Sequence, residues 1–139
     1  TALDVIVQAQ ILKLIKELQT KMNLSIILIT HDLPIIAEIC DKLAVMYAGK
    51  IVEYGDIYTL FTDPKHPYTK LMLESFPSLS SPKRGKFTYI PGTPPNLISP
   101  PSGCRFHPRC PYAEKICKKE EPKPIEIGKQ HKVACHLYN

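Results

Sequence analysis

Four of the five cysteines lie near the C-terminal end of the chain, at Cys104, Cys110, Cys117 and Cys135. The intervals between them are five, six and seventeen residues, in a stretch rich in proline and basic residues. Four thiolates could bind a zinc ion or ligate an iron–sulfur cluster, and four thiols could pair as two disulfides. Because few apolar residues are available here to form a core, we expect one of these chemistries to hold the segment together.

The cysteine spacing bears differently on the three alternatives. Structural zinc sites usually pair cysteines with about two to four residues between them, and this stretch contains no such pair. An iron–sulfur cluster is larger than a zinc ion, so wider spacing suits it. Disulfides suit secreted domains, whereas the first half of the chain has the pattern of a cytosolic α/β protein. His107, His131 and His136 are further candidate ligands.

Two residues of the N-terminal half stand where an α/β fold could use them for chemistry. Asp4 precedes an amphipathic segment, so its carboxylate can cap the first helical turn. His31 follows the apolar run Leu24–Thr30, which predicts a strand buried on both faces. Ligands collect at the carboxyl ends of such strands, so His31 is a candidate binding residue.

The elements that must position these residues follow from hydrophobic periodicity. Apolar residues three and four positions apart predict a helix from Val5 to Lys21, which Asn23 can end. Asp32 and Pro34 predict the start of a second helix that runs to Cys40.

A hairpin and several short elements are predicted further along. Two apolar runs, Leu43–Tyr47 and Ile51–Tyr54, flank a glycine-containing turn and predict a two-stranded hairpin. The remaining predictions are short helices over 56–61, 66–76 and within 111–119, and a short strand over 87–90.

Proline and charge divide the chain into two kinds of polypeptide. Eleven of the fourteen prolines fall from Pro77 onward. Residues 1–82 carry seven Lys or Arg against nine Asp or Glu, whereas residues 83–139 carry eleven against four. We therefore expect one domain over 1–76 and, over 77–139, a proline-rich linker with an extension whose four cysteines form the binding site. The basic residues form no helical stripe, so nucleic-acid binding is not expected.

The N-terminal half resembles the last third of an ABC-transporter ATPase domain, which has a P-loop NTPase fold of the α/β class. The resemblance lies in Thr1-Ala-Leu-Asp4, the long helix, the apolar strand, Thr30-His-Asp32 and Ala48-Gly-Lys-Ile-Val-Glu-Tyr-Gly55. It implies that Asp4 belongs to the D-loop and that His31 is the switch histidine at the γ-phosphate of ATP. It also implies that the full-length parent binds Mg²⁺–ATP.

The C-terminal half resembles the extension of the dipeptide, oligopeptide and nickel branch of ABC importers. The matching motifs are Pro91-Gly-Thr-Pro-Pro95 and Gly103-Cys-Arg-Phe-His-Pro-Arg-Cys110. This resemblance implies a [4Fe–4S] cluster on the four cysteines, with zinc as the second choice, in a small irregular extension. Arg105 and Arg109 would offset the negative charge of such a site.

Catalytic motifs of that family are missing from this sequence. A phosphate-binding loop needs G-x-x-x-x-G-K-[ST], and none of the three Gly-Lys pairs, at Gly49, Gly85 and Gly128, completes it. The signature motif and the Walker B acidic pair are also missing. We therefore expect this chain to be inactive as an ATPase by itself and its natural sequence to start before Thr1.

The resemblance further implies partners and a location. The partners are a second ATPase subunit, identical or homologous, and transmembrane permease subunits, at the inner face of the cell membrane. A strand over 24–30 without its neighbour predicts self-association of this chain through an exposed edge. The alternative function is a free-standing four-cysteine interaction module that binds zinc, senses redox state or binds nucleic acid.

Overall fold

The computed structural model describes residues 5–75 and 89–138. They divide into two compact units, Thr1–Asp41 and Lys42–Asn139. Helices and an antiparallel sheet are mixed along the chain, as expected for a mixed helix–strand protein. Within the described ranges, no helix combines the length and the apolar character that crossing a membrane requires.

The first unit contains two helices, both of them predicted. Helix α1 spans Val5–Met22, and Asn23 ends it with a φ of +50°, a left-handed conformation that asparagine tolerates. Helix α2 spans Leu33–Ile39 and has Asp32 as its N-cap, with the carboxylate accepting from the N–H of Ile35 at 3.4 Å.

The predicted buried strand over Leu24–Thr30 is wrong for this structure. The segment forms no strand, and Ile27 and Ile29 are 91% and 93% exposed rather than buried. A strand needs a neighbour that completes its backbone hydrogen bonds, and no described residue pairs with this segment. Self-association through this apolar segment stays a prediction.

The second unit is built on the predicted hairpin. Strand β1 spans Lys42–Tyr47 and pairs antiparallel with β2, which spans Lys50–Asp56. Ala48 and Gly49 form the two-residue loop with φ values of +47° and +79°. Positive φ at both loop residues is typical of the hairpin turn whose twist matches that of its strands.

Two C-terminal strands that were not predicted complete the sheet. Strand β3 spans Ile125–Gly128, strand β4 spans His131–Val133, and the strand order is β1-β2-β4-β3. Glu53 of β2 lies opposite Val133 of β4, so the sheet joins segments about eighty residues apart in sequence. The two strands are too short for an alternation of apolar and polar residues to be recognised in the sequence.

Short helices surround this sheet. The predicted helices over 56–61 and 66–76 correspond to α3, Ile57–Thr62, and α4, Pro67–Glu74, although residue 76 lies outside the described residues. The short helix predicted within 111–119, carrying Cys117, is a 3₁₀ helix of one turn. Of the predicted strand over 87–90, residues 87 and 88 lie outside the described ranges and the other two form no strand. The 3₁₀ helices are His107–Arg109, Ile116–Lys118 and His136–Tyr138.

Candidate functional site

The cysteine-bearing segment is closed by backbone contacts around Gly103. Gly103 has a φ of +66°, and the N–H of Cys104 donates to the carbonyl of Cys117 at 2.8 Å. Beside this bond, Ser102 Oγ donates to the carbonyl of Lys118 at 2.8 Å. A Cβ at position 103 would overlap the Cys117 carbonyl oxygen, so only glycine fits there. The first and third cysteines of the set are thereby held side by side.

The other two cysteines are placed by the sheet and by a 3₁₀ helix. Cys135 follows β4 closely and is buried. Cys110 follows the 3₁₀ helix His107–Arg109, and its N–H donates to the carbonyl of His107 at 3.3 Å. Both positions are therefore fixed by the tertiary structure and do not follow from the spacing of the cysteines.

The four thiols influence one another electrostatically. Burial raises the pKa of Cys104 and Cys110, and it raises the pKa of Cys135 to about 11. Neighbouring sulfurs, including that of Cys117, raise these pKa values further, because a second negative charge nearby disfavours ionisation. Such mutual effects require proximity, so the fold gathers all four predicted cysteines into one region.

Backbone N–H groups lower the pKa of three of these thiols, which is opposite to the effect of burial. Each such hydrogen bond lowers the pKa of its thiol, because it stabilises the thiolate. The bonds come from Phe106 and His107 to Cys104, from Tyr112 to Cys110 and from Leu137 to Cys135. Hydrogen bonds to cysteine sulfur are one of the means by which proteins tune iron–sulfur clusters.

A site for a single metal ion is not formed by this arrangement. Among residues 5–75 and 89–138, no group of three or more His, Cys, Asp or Glu side chains is placed to hold one ion. The three tail histidines have other partners. His107 Nδ1 donates to the Cys104 carbonyl and His136 Nε2 to the Glu120 carbonyl, each at 2.9 Å, and His131 contacts Glu53.

Phe106, inside the cysteine motif, anchors the segment to the hairpin. Its side chain is 1% exposed, and its ring contacts those of Tyr47, His66 and Tyr68 at centroid distances of 5.0, 5.8 and 5.4 Å. The contact with Tyr47 is edge-to-face, at an interplanar angle of 83°, a favoured geometry for aromatic pairs. This aromatic cluster holds the backbone between Cys104 and Cys110 in place.

Glu53 forms a buried polar link that sequence reasoning missed. Its side chain is fully buried, and Oε1 lies 2.8 Å from His131 Nε2. The same carboxylate accepts from the backbone N–H groups of Lys65 at 2.7 Å and His66 at 3.0 Å. Glu53 thus joins β2, β4 and the start of α4. No sequence pattern identifies this role, because its partners lie 12 to 78 residues away.

His66 caps α4 with a ring nitrogen. Its Nδ1 accepts from the N–H of Tyr68 at 3.0 Å, and the residue is 1% exposed. Burial lowers the pKa of His66 to about 4, although the charge of Glu53 acts in the opposite direction. The ring is therefore neutral at physiological pH, as its role as an acceptor requires.

Of the two predicted nucleotide-binding residues, the structure describes His31. His31 is exposed and immediately precedes Asp32, the N-cap of α2. Asp4 lies outside the described residues. The roles proposed for His31 and Asp4 therefore stay predictions.

One family model matches a part of the chain that includes most of the cysteine segment. Residues 52–117 match the family model described as "Oligopeptide/dipeptide transporter, C-terminal region". The dipeptide transport ATP-binding protein of Caldanaerobacter subterraneus is 49% identical over 138 residues, which cover 99% of this chain and 42% of that protein. The chain matches the C-terminal part of a dipeptide or oligopeptide ABC ATPase.

Two further peptide-transport ATP-binding proteins give the same result. The oligopeptide transport ATP-binding protein of Bacillus subtilis is 51% identical over 137 residues, covering 99% of this chain and 38% of that protein. The dipeptide transport ATP-binding protein of Escherichia coli is 44% identical over 136 residues, covering 98% and 41%. The chain thus spans about two fifths of the length of these curated relatives.

Proposed function

We propose that the chain belongs to the ATP-hydrolysing subunit that powers peptide import by an ABC transporter. The supporting observation is the 44–51% identity to named peptide-transport ATP-binding proteins along 98–99% of the chain. Since this identity includes residues 5–41 as well as the cysteine segment, it favours an ATPase subunit over a free-standing metal-binding module.

Within that subunit, His31 would bind the γ-phosphate of ATP and Asp4 would act in the D-loop. The exposed position of His31 at the start of α2 suits contact with a ligand outside this chain. The phosphate and Mg²⁺ ligands would lie in sequence upstream of this chain, so the chain alone would not hydrolyse ATP. Residues 1–76 would form the ATPase part, and residues 77–139 would form the linker and the cluster-binding part.

The His31 role is tested in the full-length subunit, assembled with its permease. We expect His31→Ala to lower peptide-stimulated ATP hydrolysis at least about ten-fold while ATP still binds, because a charge-stabilising contact to the transferring phosphoryl group is lost. Lys13→Ala, on the same unit, is the control and should keep normal activity. Full activity of the His31 variant would contradict the assignment.

We further propose that Cys104, Cys110, Cys117 and Cys135 hold a [4Fe–4S] cluster, with Zn²⁺ as the second choice. Support comes from the mutual effects of the four thiols and from the N–H groups directed at the sulfurs of Cys104, Cys110 and Cys135. The wide spacing of the four cysteines in sequence also suits a cluster, because a cluster is larger than a zinc ion. When bound, the cluster would cross-link β4 to the loop segments that carry the other three cysteines.

Anaerobic purification of the chain tests this cofactor. We expect about four iron and four sulfide per chain and a broad absorption band near ~400 nm, since four thiolates ligate such a cluster. Cys117→Ser should lose most of the iron, whereas Cys40→Ser, outside the set, should keep it. Stoichiometric zinc that resists exchange would contradict the proposal.

The proposed partners follow from the same similarity. They are a second ATPase subunit, with ATP bound between the two, and transmembrane permease subunits. Closure of the ATPase dimer would drive movement of the permease. The proposed location is the cytoplasmic face of the cell membrane.

A further inference from the structure

We propose that the second unit binds a phosphate-type dianion in a cleft between the 91–101 loop and the segment 105–109. This cleft, called here the proline cleft, has a volume of about 280 Å³. Four prolines, two arginines and several hydroxyl or amide side chains surround it. The lining residues used below are Tyr47, Thr93, Asn96, Ser99, Arg105 and Arg109.

Arg109 is held in the wall of the proline cleft by neutral oxygen atoms. Its Nε donates to the Pro91 carbonyl at 2.7 Å, and Nη2 donates to the carbonyls of Ile90 at 3.2 Å and Gly92 at 3.3 Å. Its Nη1 donates to the Tyr47 hydroxyl at 3.3 Å. These bonds fix the orientation of the guanidinium but leave its positive charge uncompensated, because each acceptor is neutral.

Arg105 contributes a second guanidinium to the same cleft. Its Nη1 donates to the carbonyl of Ala48, in the hairpin loop, and the side chain is half-buried. Gly49 lies beside this contact, since a Cβ there would meet Nη1 at an ordinary 3.4 Å. The loop therefore positions Arg105 with a single hydrogen bond, which leaves its other N–H donors to serve a ligand.

Neither guanidinium has a carboxylate partner in the part of the chain that the structure describes. The ion pairs there are Lys50–Glu121, Lys65–Asp63 and His131–Glu53. The segment 76–88 reads Phe-Pro-Ser-Leu-Ser-Ser-Pro-Lys-Arg-Gly-Lys-Phe-Thr and contains no acidic residue. The expectation that Arg105 and Arg109 offset the charge of the cysteine site stays a prediction; their hydrogen bonds run to the carbonyls of Ala48 and Pro91.

Two fixed positive charges beside hydroxyl groups define the chemistry of the ligand. Guanidinium groups bind oxyanions through paired, charge-assisted hydrogen bonds. The Asn96 carboxamide oxygen accepts from the N–H of Ile98 at 2.8 Å, so the amide N–H groups remain as donors. Thr93 and Ser99 add hydroxyl donors. A dianion matches two guanidiniums, whereas a monoanionic carboxylate would compensate only one.

Inorganic phosphate is the probe that tests this proposal. The 139-residue chain is titrated with phosphate, and with acetate, at constant ionic strength and mildly alkaline pH, while nitrogen-15 NMR follows backbone amides and arginine side chains. We expect saturable shifts at Thr93, Asn96 and Ser99 and at Arg105 Nε. Acetate should bind at least about ten-fold more weakly, because it carries one charge instead of two.

Two variants with the same change in net charge distinguish a specific phosphate site from general electrostatic attraction of phosphate to the basic surface. Arg105→Gln should weaken phosphate binding about ten-fold or more, since it removes a charged donor. Lys129→Gln, in the exposed turn between β3 and β4, should leave the affinity unchanged. Equal effects of the two variants, or shifts that do not saturate or spread over the surface lysines, would overturn the proposal.

Discussion

Gly103→Ala is expected to destabilise the second unit by about 3 kcal/mol and to prevent loading of the cysteine site. The new Cβ would overlap the Cys117 carbonyl oxygen and lie 2.9 Å from the Lys118 carbonyl carbon. Overpacking of this kind costs about 1–3 kcal/mol, and a left-handed conformation costs alanine about 1 kcal/mol more. Relief of the overlap must move Cys104 away from Cys117, so the ligand set would no longer converge.

Urea unfolding and iron analysis measure these two effects. All seven tyrosines lie in the second unit and the chain has no tryptophan, so tyrosine fluorescence reports on that unit. Gly92→Ala is the matched control. Its φ is +71°, but its Cβ would meet only Arg109 Cγ at an ordinary 3.7 Å. It should cost about 1 kcal/mol and keep the iron. Equal losses for both variants would show that the close approach to Cys117 is unimportant.

Acidification is expected to destabilise the second unit through His66. The pKa of His66 is about 4 in the folded state against 6.5 as the ordinary value. The unfolded chain therefore takes up the proton first. Stability is unaffected by this group above pH 6.5, and it falls as the pH decreases from 6.5 towards about 4. The full difference corresponds to about 3 kcal/mol, because each pKa unit is worth about 1.4 kcal/mol.

His66→Asn isolates this contribution. Asparagine keeps a side-chain oxygen that can accept from the N–H of Tyr68 at the N-cap, but it does not titrate. The variant should be less stable at neutral pH, because it loses contact with the Phe106 ring. Its stability should vary less with pH over the same range. An unchanged pH dependence in urea unfolding would assign the acid sensitivity to other groups.

Local patterns predicted the elements whose residues are neighbours in sequence. The apolar period of three and four residues specified α1, and the side chain of Asp32 specified the start of α2. The hairpin followed from two apolar runs around Ala48 and Gly49. Each of these elements satisfies its backbone hydrogen bonds internally or across a tight turn, so nearby residues are sufficient to determine it.

Elements that depend on distant partners were predicted poorly. The run Leu24–Thr30 has strand composition, yet it forms no strand because nothing in the described residues pairs with it. Conversely, β3 and β4 have little strand character in sequence but form strands because β2 offers an edge to β4. Strand formation is a property of a pair, and one member of the pair does not reveal the other.

By itself, the sequence determined which thiols belong to the candidate site and which family of proteins the chain resembles. Only the tertiary structure decided how that site is supported. Glu53 links β2 to β4 and thereby fixes the position of Cys135. Phe106 packs the Cys104–Cys110 segment against the hairpin. The tertiary structure also placed Arg105 and Arg109 in the lining of a cleft. The physical reason is that residue types and spacing specify chemistry, whereas burial and orientation arise from contacts between residues far apart in the chain.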